Sequence, residues 1–207
     1  MKKNLENNEE TIDDLMPKES FEKRFSFITN DTLKKNIAIA FEYIVFLIEA
    51  ASKEKQKQLI RSSLYKDATV YTGTIVEACL CHVLLKYLTA NKLKKTKVLS
   101  PKWKEMNQGT IYKFSKNKRI RHVLEKIDYE VIKDSSNFFE INRACLKGKI
   151  LSKQEFEVAE EIRIARNKIH VSALKEIENT YSKEKLDNIF SKATKIIRKV
   201  EKKLSKI

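Results

Sequence analysis

An all-α fold, a helical bundle carrying a short β-hairpin insertion around residues 96–114, is what this sequence predicts, and three observations predict it. Only 3 glycines and 2 prolines occur in 207 residues, too few for a β-rich chain with many tight turns. A hydrophobic fraction of 42% supplies a core. Apolar residues recur at helical spacing through most of the chain, with a single interruption that alternates instead.

Residues 1–19 are polar and acidic without periodicity, and read as a flexible N-terminal arm ending near Pro17. Residues 20–207 then form one bundle domain, with a basic insertion over 91–117. A short amphipathic helix after Ser20 uses Phe21, Phe25 and Ile28. Asp31-Thr32 offers an N-cap for the next helix, whose apolar face runs from Leu33 to about Ala51. The charged run from Ser52 to Lys57 breaks that pattern.

Helical signals return from Gln58 to about Ala90. The stretch Tyr71–His82 is the least charged part of the chain and should be the core helix. Glu77 is its one acid, so it is either paired or functional, while His82 reads as a packed histidine. Gly73 costs about 1 kcal/mol in a helix interior relative to alanine, which implies close approach of another backbone.

Thr96–Trp103 and Asn107–Phe114 read as two short strands around a turn at Gly109. Such a hairpin can stack bases on Trp103, Tyr112 and Phe114, or lay these aromatics on the bundle, and the second is the better expectation. Helix resumes from Asn117 to Ile127, and again from Ser136 to Leu146 with Gly148 as its stop. Ser152 with Glu155 makes a capping box for a helix reaching about Ala173. Ser182 starts the last helix, with Leu186, Ile189, Phe190, Ala193, Ile197, Val200 and Leu204 on one face.

The charge is +15, but only 8 of the 43 basic residues are arginine, and the Lys/Asn/Ile bias is what an AT-rich genome produces unaided. Distribution says more than the total. Residues 91–126 carry twelve Lys/Arg against Glu105 and Glu125, and residues 191–207 carry seven against Glu201. Two basic blocks of this kind favour a polyanion such as RNA, with Lys94, Lys95, Lys97, Lys102, Lys104, Lys116, Lys118, Arg119, Arg121 and Trp103 as its binding residues. No stretch of 18 uninterrupted apolar residues occurs, and no apolar signal region opens the chain, so neither a membrane span nor secretion is expected. Cys79, Cys81 and Cys145 lack zinc-site spacing and read as small buried thiols of a reduced, cytoplasmic protein.

The most informative segment is Glu161–His170. At roughly 100° per residue, with Arg163 at zero, Asn167 falls near 40°, His170 near 340° and Arg166 near 300°. These four therefore share an arc of about 100°, beside a buried stripe of Val158, Ile162, Ala165 and Ile169. A histidine can move a proton at neutral pH, and an arginine can grip a phosphate bidentately. Together they suit phosphoryl transfer on RNA, whose 2′-hydroxyl is an internal nucleophile, so no metal or other cofactor is expected. The plainer alternative is a histidine that caps the helix dipole beside solvated arginines.

The order of elements resembles the HEPN superfamily (higher eukaryote and prokaryote nucleotide-binding domains). It runs from a small-residue core helix with Glu77, through a basic linker and a short helix ending at Ile127-Asp128, to the block Arg163–His170. The resemblance spans roughly residues 30–205, and the Arg163–His170 block is its specific part. It implies an up-and-down bundle, often a homodimer, and a metal-independent endoribonuclease of toxin–antitoxin or phage-defence type. The family motif is an arginine separated from a histidine by four to six intervening residues, with a polar residue, commonly asparagine, just after the arginine. Arg166-Asn167 has the dipeptide but only three intervening residues, whereas Arg163 has six and is followed by Ile164. By resemblance Arg163, Arg166, Asn167 and His170 are the catalytic group, and two copies of their helix face each other across a dimer axis. An antitoxin or other defence partner belongs to the same expectation.

Overall fold

The computed structural model describes residues 18–53, 57–99, 101–129, 137–167 and 181–207. The N-terminal arm expected up to residue 19 lies almost wholly outside them. So do Lys168, Ile169 and His170, and with them the expected helix end near Ala173.

Helix α1 (Lys18–Arg24) is pinned to α2 (Asp31–Ser52) by aromatic contacts. The rings of Phe21 and Phe25 lie 5.3 Å and 6.0 Å from that of Phe41, and Phe25 and Ile28 are buried. The cap of α2 is Asn30, one residue before the expected position, its side chain accepting from Leu33 N at 3.0 Å. Helix α3 (Gln58–Thr89) is the axis of the bundle and packs against α2, α5 (Phe138–Lys147), α6 (Lys153–Asn167) and α7 (Lys183–Leu204). Ile75, Val76, Cys79, Leu80, Val83 and Leu84 are its buried face. Each fully buried aliphatic side chain there contributes about 1.5–3 kcal/mol. Its threonines satisfy themselves locally, Thr69 and Thr72 donating to carbonyls one turn back at 2.9 Å and 2.7 Å.

Helix α3 is long and apolar enough to cross a bilayer by length and composition, but 67% of its most apolar stretch is buried against the other helices. The three cysteines are free and buried, and burial pushes the Cys79 thiol up to about 12.

Caps fix the later helices as the sequence implies. Asn137 accepts from Glu140 N at 3.0 Å to open α5. In α6 the capping box is reciprocal: Ser152 N donates to Glu155 at 2.7 Å and Glu155 N to Ser152 Oγ at 3.2 Å. Ser182 Oγ accepts from Lys185 N to open α7. Gly148 ends α5, yet it is Lys149, at φ 55°, that takes the left-handed turn. What Gly148 supplies is room, since a Cβ there would lie 2.8 Å from Leu93 Cδ1.

The insertion departs from expectation in several ways. Residues 95–98 form a helical turn, α4 (Lys95–Val98), not the start of a strand. The hairpin is much longer than two short strands: β1 (Pro101–Ser115) pairs antiparallel with β2 (Lys118–Tyr129). Its turn is therefore Lys116-Asn117, and the segment Asn117–Ile127 is strand where helix was expected. Gly109 is not a turn residue. It sits opposite His122, where a Cβ would lie 2.3 Å from the imidazole Cε1, so glycine is the residue that lets this ring cross the strand. The basic insertion thus extends to Tyr129. Nor do Trp103 and Tyr112 lie on the bundle, for they are 66% and 57% exposed and the substantial contacts of the hairpin are internal; the side chain of Phe114 lies outside the described residues.

Candidate active site and nucleic-acid interface

Helix α6 brings three of the four expected catalytic residues together. Arg163, Arg166 and Asn167 line one open cavity of about 470 Å³ with Asn137, Phe138 and Phe139. His170 lies outside the described residues, so the arginine–histidine geometry is not part of the structure.

Packing sets where each guanidinium goes. Ala159 and Ile162 are the buried face of α6, with Val158 packed partly against the core. Ala165 is half-buried, so the stripe expected from the sequence is rotated slightly towards Ala159. Gly73 lets α6 approach α3. A Cβ on Gly73 would stand 2.8 Å from Arg166 Cβ and 3.0 Å from its Cγ. The close neighbour is thus the stem of Arg166, not a backbone as expected.

Seated over Gly73, Arg166 Nη2 reaches Glu77 Oε2 at 2.9 Å, while its Nη1 lies 3.4 Å from Asn167 Oδ1. Burial raises the Glu77 carboxyl above its ordinary range and outweighs the opposing pull of Arg166. Glu77 is accordingly a paired acid whose proton is held more tightly than usual. It also lines a second cavity of about 440 Å³, with Asn36, Thr74, Cys81 and His82 among its walls. His82 is buried and its Nε2 has no hydrogen-bond partner among the described residues; burial first, and then Lys86, lower its pKa.

Arg163 is held from the other side. Its Nε donates to Glu160 Oε2 at 2.8 Å, and Glu160 Oε1 accepts from the buried Asn142 Nδ2 at 2.7 Å. Its guanidinium also lies 5.3 Å from the centroid of Phe139, and Arg143 lies 5.4 Å from the same ring. Arg143, Phe139 and Glu160 escape sequence reasoning. The one signal for the first two is their i, i+4 spacing on α5. Arg163 and Arg166 thus line the cleft, and Arg143 approaches it through Phe139, whose ring is one of its walls.

The expected RNA-binding residues are exposed but do not form one patch. Lys94, Lys95 and Lys97 stand on and before α4. On the hairpin, the pairings Trp103–Ile127, Thr110–Arg121 and Lys113–Arg119 place Trp103, Lys113, Arg119 and Arg121 on one face. Lys102, Lys104 and Lys118 belong to the other face, and Lys116 to the turn. On the first face the exposed indole of Trp103 and the cations Arg121, Lys113 and Arg119 stand at opposite ends, with the Glu105–Glu125 pair next to the indole.

Among the described residues no cluster of His, Cys, Asp or Glu could hold a metal ion. Compared with known proteins, the chain matches no family model, no curated protein and no solved structure.

Proposed function

We propose that this protein is a HEPN-like, metal-independent endoribonuclease of toxin–antitoxin or phage-defence type. The observation that carries the reading is the convergence of Arg163, Arg166 and Asn167 on one open cavity, each arginine steered there by a carboxylate. In this reading a phosphate enters the cavity and meets both guanidiniums and the Asn167 amide. His170, three residues beyond Asn167 in sequence, takes the proton of the 2′-hydroxyl. The 2′-oxygen bonds to phosphorus, and the 5′-oxygen leaves with a proton from the corresponding histidine of a second protomer. The products are a 2′,3′-cyclic phosphate and a 5′-hydroxyl. The hairpin adds salt-sensitive, sequence-independent affinity for the RNA strand.

A second reading has its own observation. Both arginines already have carboxylate partners, Glu160 and Glu77, as in a bundle that binds RNA, a nucleotide or a protein partner without turnover.

Cleavage of an end-labelled, mostly single-stranded RNA at low salt with EDTA separates the two. Wild type, His170→Ala, Arg163→Ala and Arg166→Ala run side by side, with circular dichroism confirming each fold. The ribonuclease reading expects cyclic-phosphate ends from wild type and a loss of about 10²-fold or more in the histidine variant. Salt-dependent binding without cleavage by wild type establishes the second reading instead.

A further inference from the structure

The two outer edges of the hairpin are unlike. β1 begins at Pro101, which has no N–H to offer, and it contains every irregularity of the ladder: Met106, Ile111 and Phe114 are the residues skipped in the register. Prolines and bulges are the ordinary means of blunting a sheet edge. β2 has neither. All 12 of its residues, Lys118 to Tyr129, have a partner in β1 without a skip. Among the described residues the sheet has these two strands, so the far side of β2 presents a regular row of backbone donors and acceptors.

The hairpin also lacks what would make it stable alone. Two strands are marginal in water unless a third strand or another layer covers them. Here Lys104 faces Lys126, Glu105 faces Glu125 and Lys113 faces Arg119, and like charges directly opposed weaken a strand pair. Exposed apolar side chains add to the cost, among them Val123 at 46% and Leu124 at 58%.

We propose that β2 pairs antiparallel with β2 of a second copy of this chain, about a two-fold axis at Val123, to form a four-stranded sheet. Register and charge select this occupant. A two-fold axis normal to the sheet keeps each residue on its own face, so opposed residues are an even number apart. Centring on Val123 sets Arg121 opposite the second copy's Glu125, and Lys118 opposite the second copy's Asp128, each twice by symmetry and with no like charges opposed. An axis at His122 sets Arg119 opposite Glu125 but also Lys118 against Lys126, and one at Leu124 gains no ion pair. The Val123 register also brings an arginine to the Glu105–Glu125 pair, which has no cation opposite it within its own hairpin. A polyanion would leave Glu125 and Asp128 along this edge unmatched, whereas a second copy sets a cation opposite each. This contact is separate from any α6-to-α6 pairing, and it stands whether or not the protein cleaves RNA.

Sedimentation velocity on the full, RNA-free chain tests it, using wild type, Arg121→Glu, Glu125→Arg and the Arg121→Glu/Glu125→Arg double variant. Wild type is expected to dimerise. Each single change should raise the dissociation constant about tenfold or more, because it opposes like charges twice, and the double swap should recover most of the loss. Val123→Cys, at the axis, should cross-link to itself under mild oxidation, while the native cysteines are buried and contribute no background. A monomeric wild type at about 100 μM overturns the proposal. So does a dimer indifferent to both single changes, or one that forms only when RNA is added.

Discussion

Gly73 and Gly109 perform the same act in two regions with opposite outcomes. Each vacates the space a Cβ would fill, one for the stem of Arg166 and the other for the ring of His122. In the bundle the admitted side chain goes on to meet Glu77. In the hairpin His122 remains exposed, on a ladder where three like-charged pairs oppose each other. The bundle pairs the arginines of its cavity with carboxylates, whereas the hairpin sets three like-charged pairs face to face. On the proposed reading, the rigid region is the one that positions a phosphate and the unanswered surface the one that meets a macromolecule.

The largest expected effect tests that contrast directly. Leu84 is fully buried in α3, and Leu84→Ala should cost about 2–5 kcal/mol in urea denaturation. Ile111 is 65% exposed, and Ile111→Ala should stay within about 0.5 kcal/mol. A cost for Ile111→Ala comparable to that for Leu84→Ala would mean that the hairpin is packed, and the comparison would fail.

Gly73→Val sharpens the bundle side. Its branched side chain would push into the Arg166 stem, an overpacking cost of about 1–3 kcal/mol. On the proposed ribonuclease reading, RNA cleavage should fall further than stability, since α6 and both its arginines would shift together. Glu77→Gln separates position from charge. Burial already disfavours the Glu77 carboxylate, so the stability change should be about 1 kcal/mol or less. Loss of Arg166 anchoring should still lower the cleavage rate at saturating RNA. A rate equal to wild type in Glu77→Gln would show that Arg166 is aligned without it.

How far the sequence revealed this division follows from what each part depends on. Helix limits and caps were legible because they are local: Ser152 with Glu155 and Ser182 stand where their chemistry demands. The arc of Arg163, Arg166 and Asn167 was legible because helical geometry alone sets it, and the cavity contains all three. The lone Glu77 read as either paired or functional, and nothing local could name Arg166, whose approach depends on α3–α6 packing. Strand β2 misled for a definite reason. Ile120, Val123, Leu124 and Ile127 stand at i, i+3, i+4 and i+7, the spacing of an amphipathic helix. Non-local pairing with β1 overrides it, and the reading of Gly109 as a turn hid that pairing.

A smaller effect concerns pH. His82 is buried with its pKa lowered from 6.5, so the unfolded chain binds its proton more readily than the folded one. Its contribution to stability is therefore present above pH 6.5 and is lost as pH falls from there through the folded pKa. The melting temperature should drop between pH 7.5 and 5.5, and His82→Gln should make that drop shallower whatever it does to stability at pH 7.5. An unchanged slope in the variant would place the pH sensitivity elsewhere.

The smallest effect has two signs. Lys113 faces Arg119 across the ladder, so Lys113→Thr removes a repulsion and should stabilise the hairpin by about 0.2–1 kcal/mol. The same change removes a cation from the face bearing Trp103, Arg119 and Arg121. If that face holds a single strand, the slope of log affinity against log salt should become shallower by about 0.7. Stability and RNA affinity would then move oppositely for one substitution, as they must where charges are kept together against their own repulsion for the sake of a partner. A Lys113→Thr variant that gains stability at unchanged salt slope would take this face out of the RNA contact and leave it to the other face or to α4.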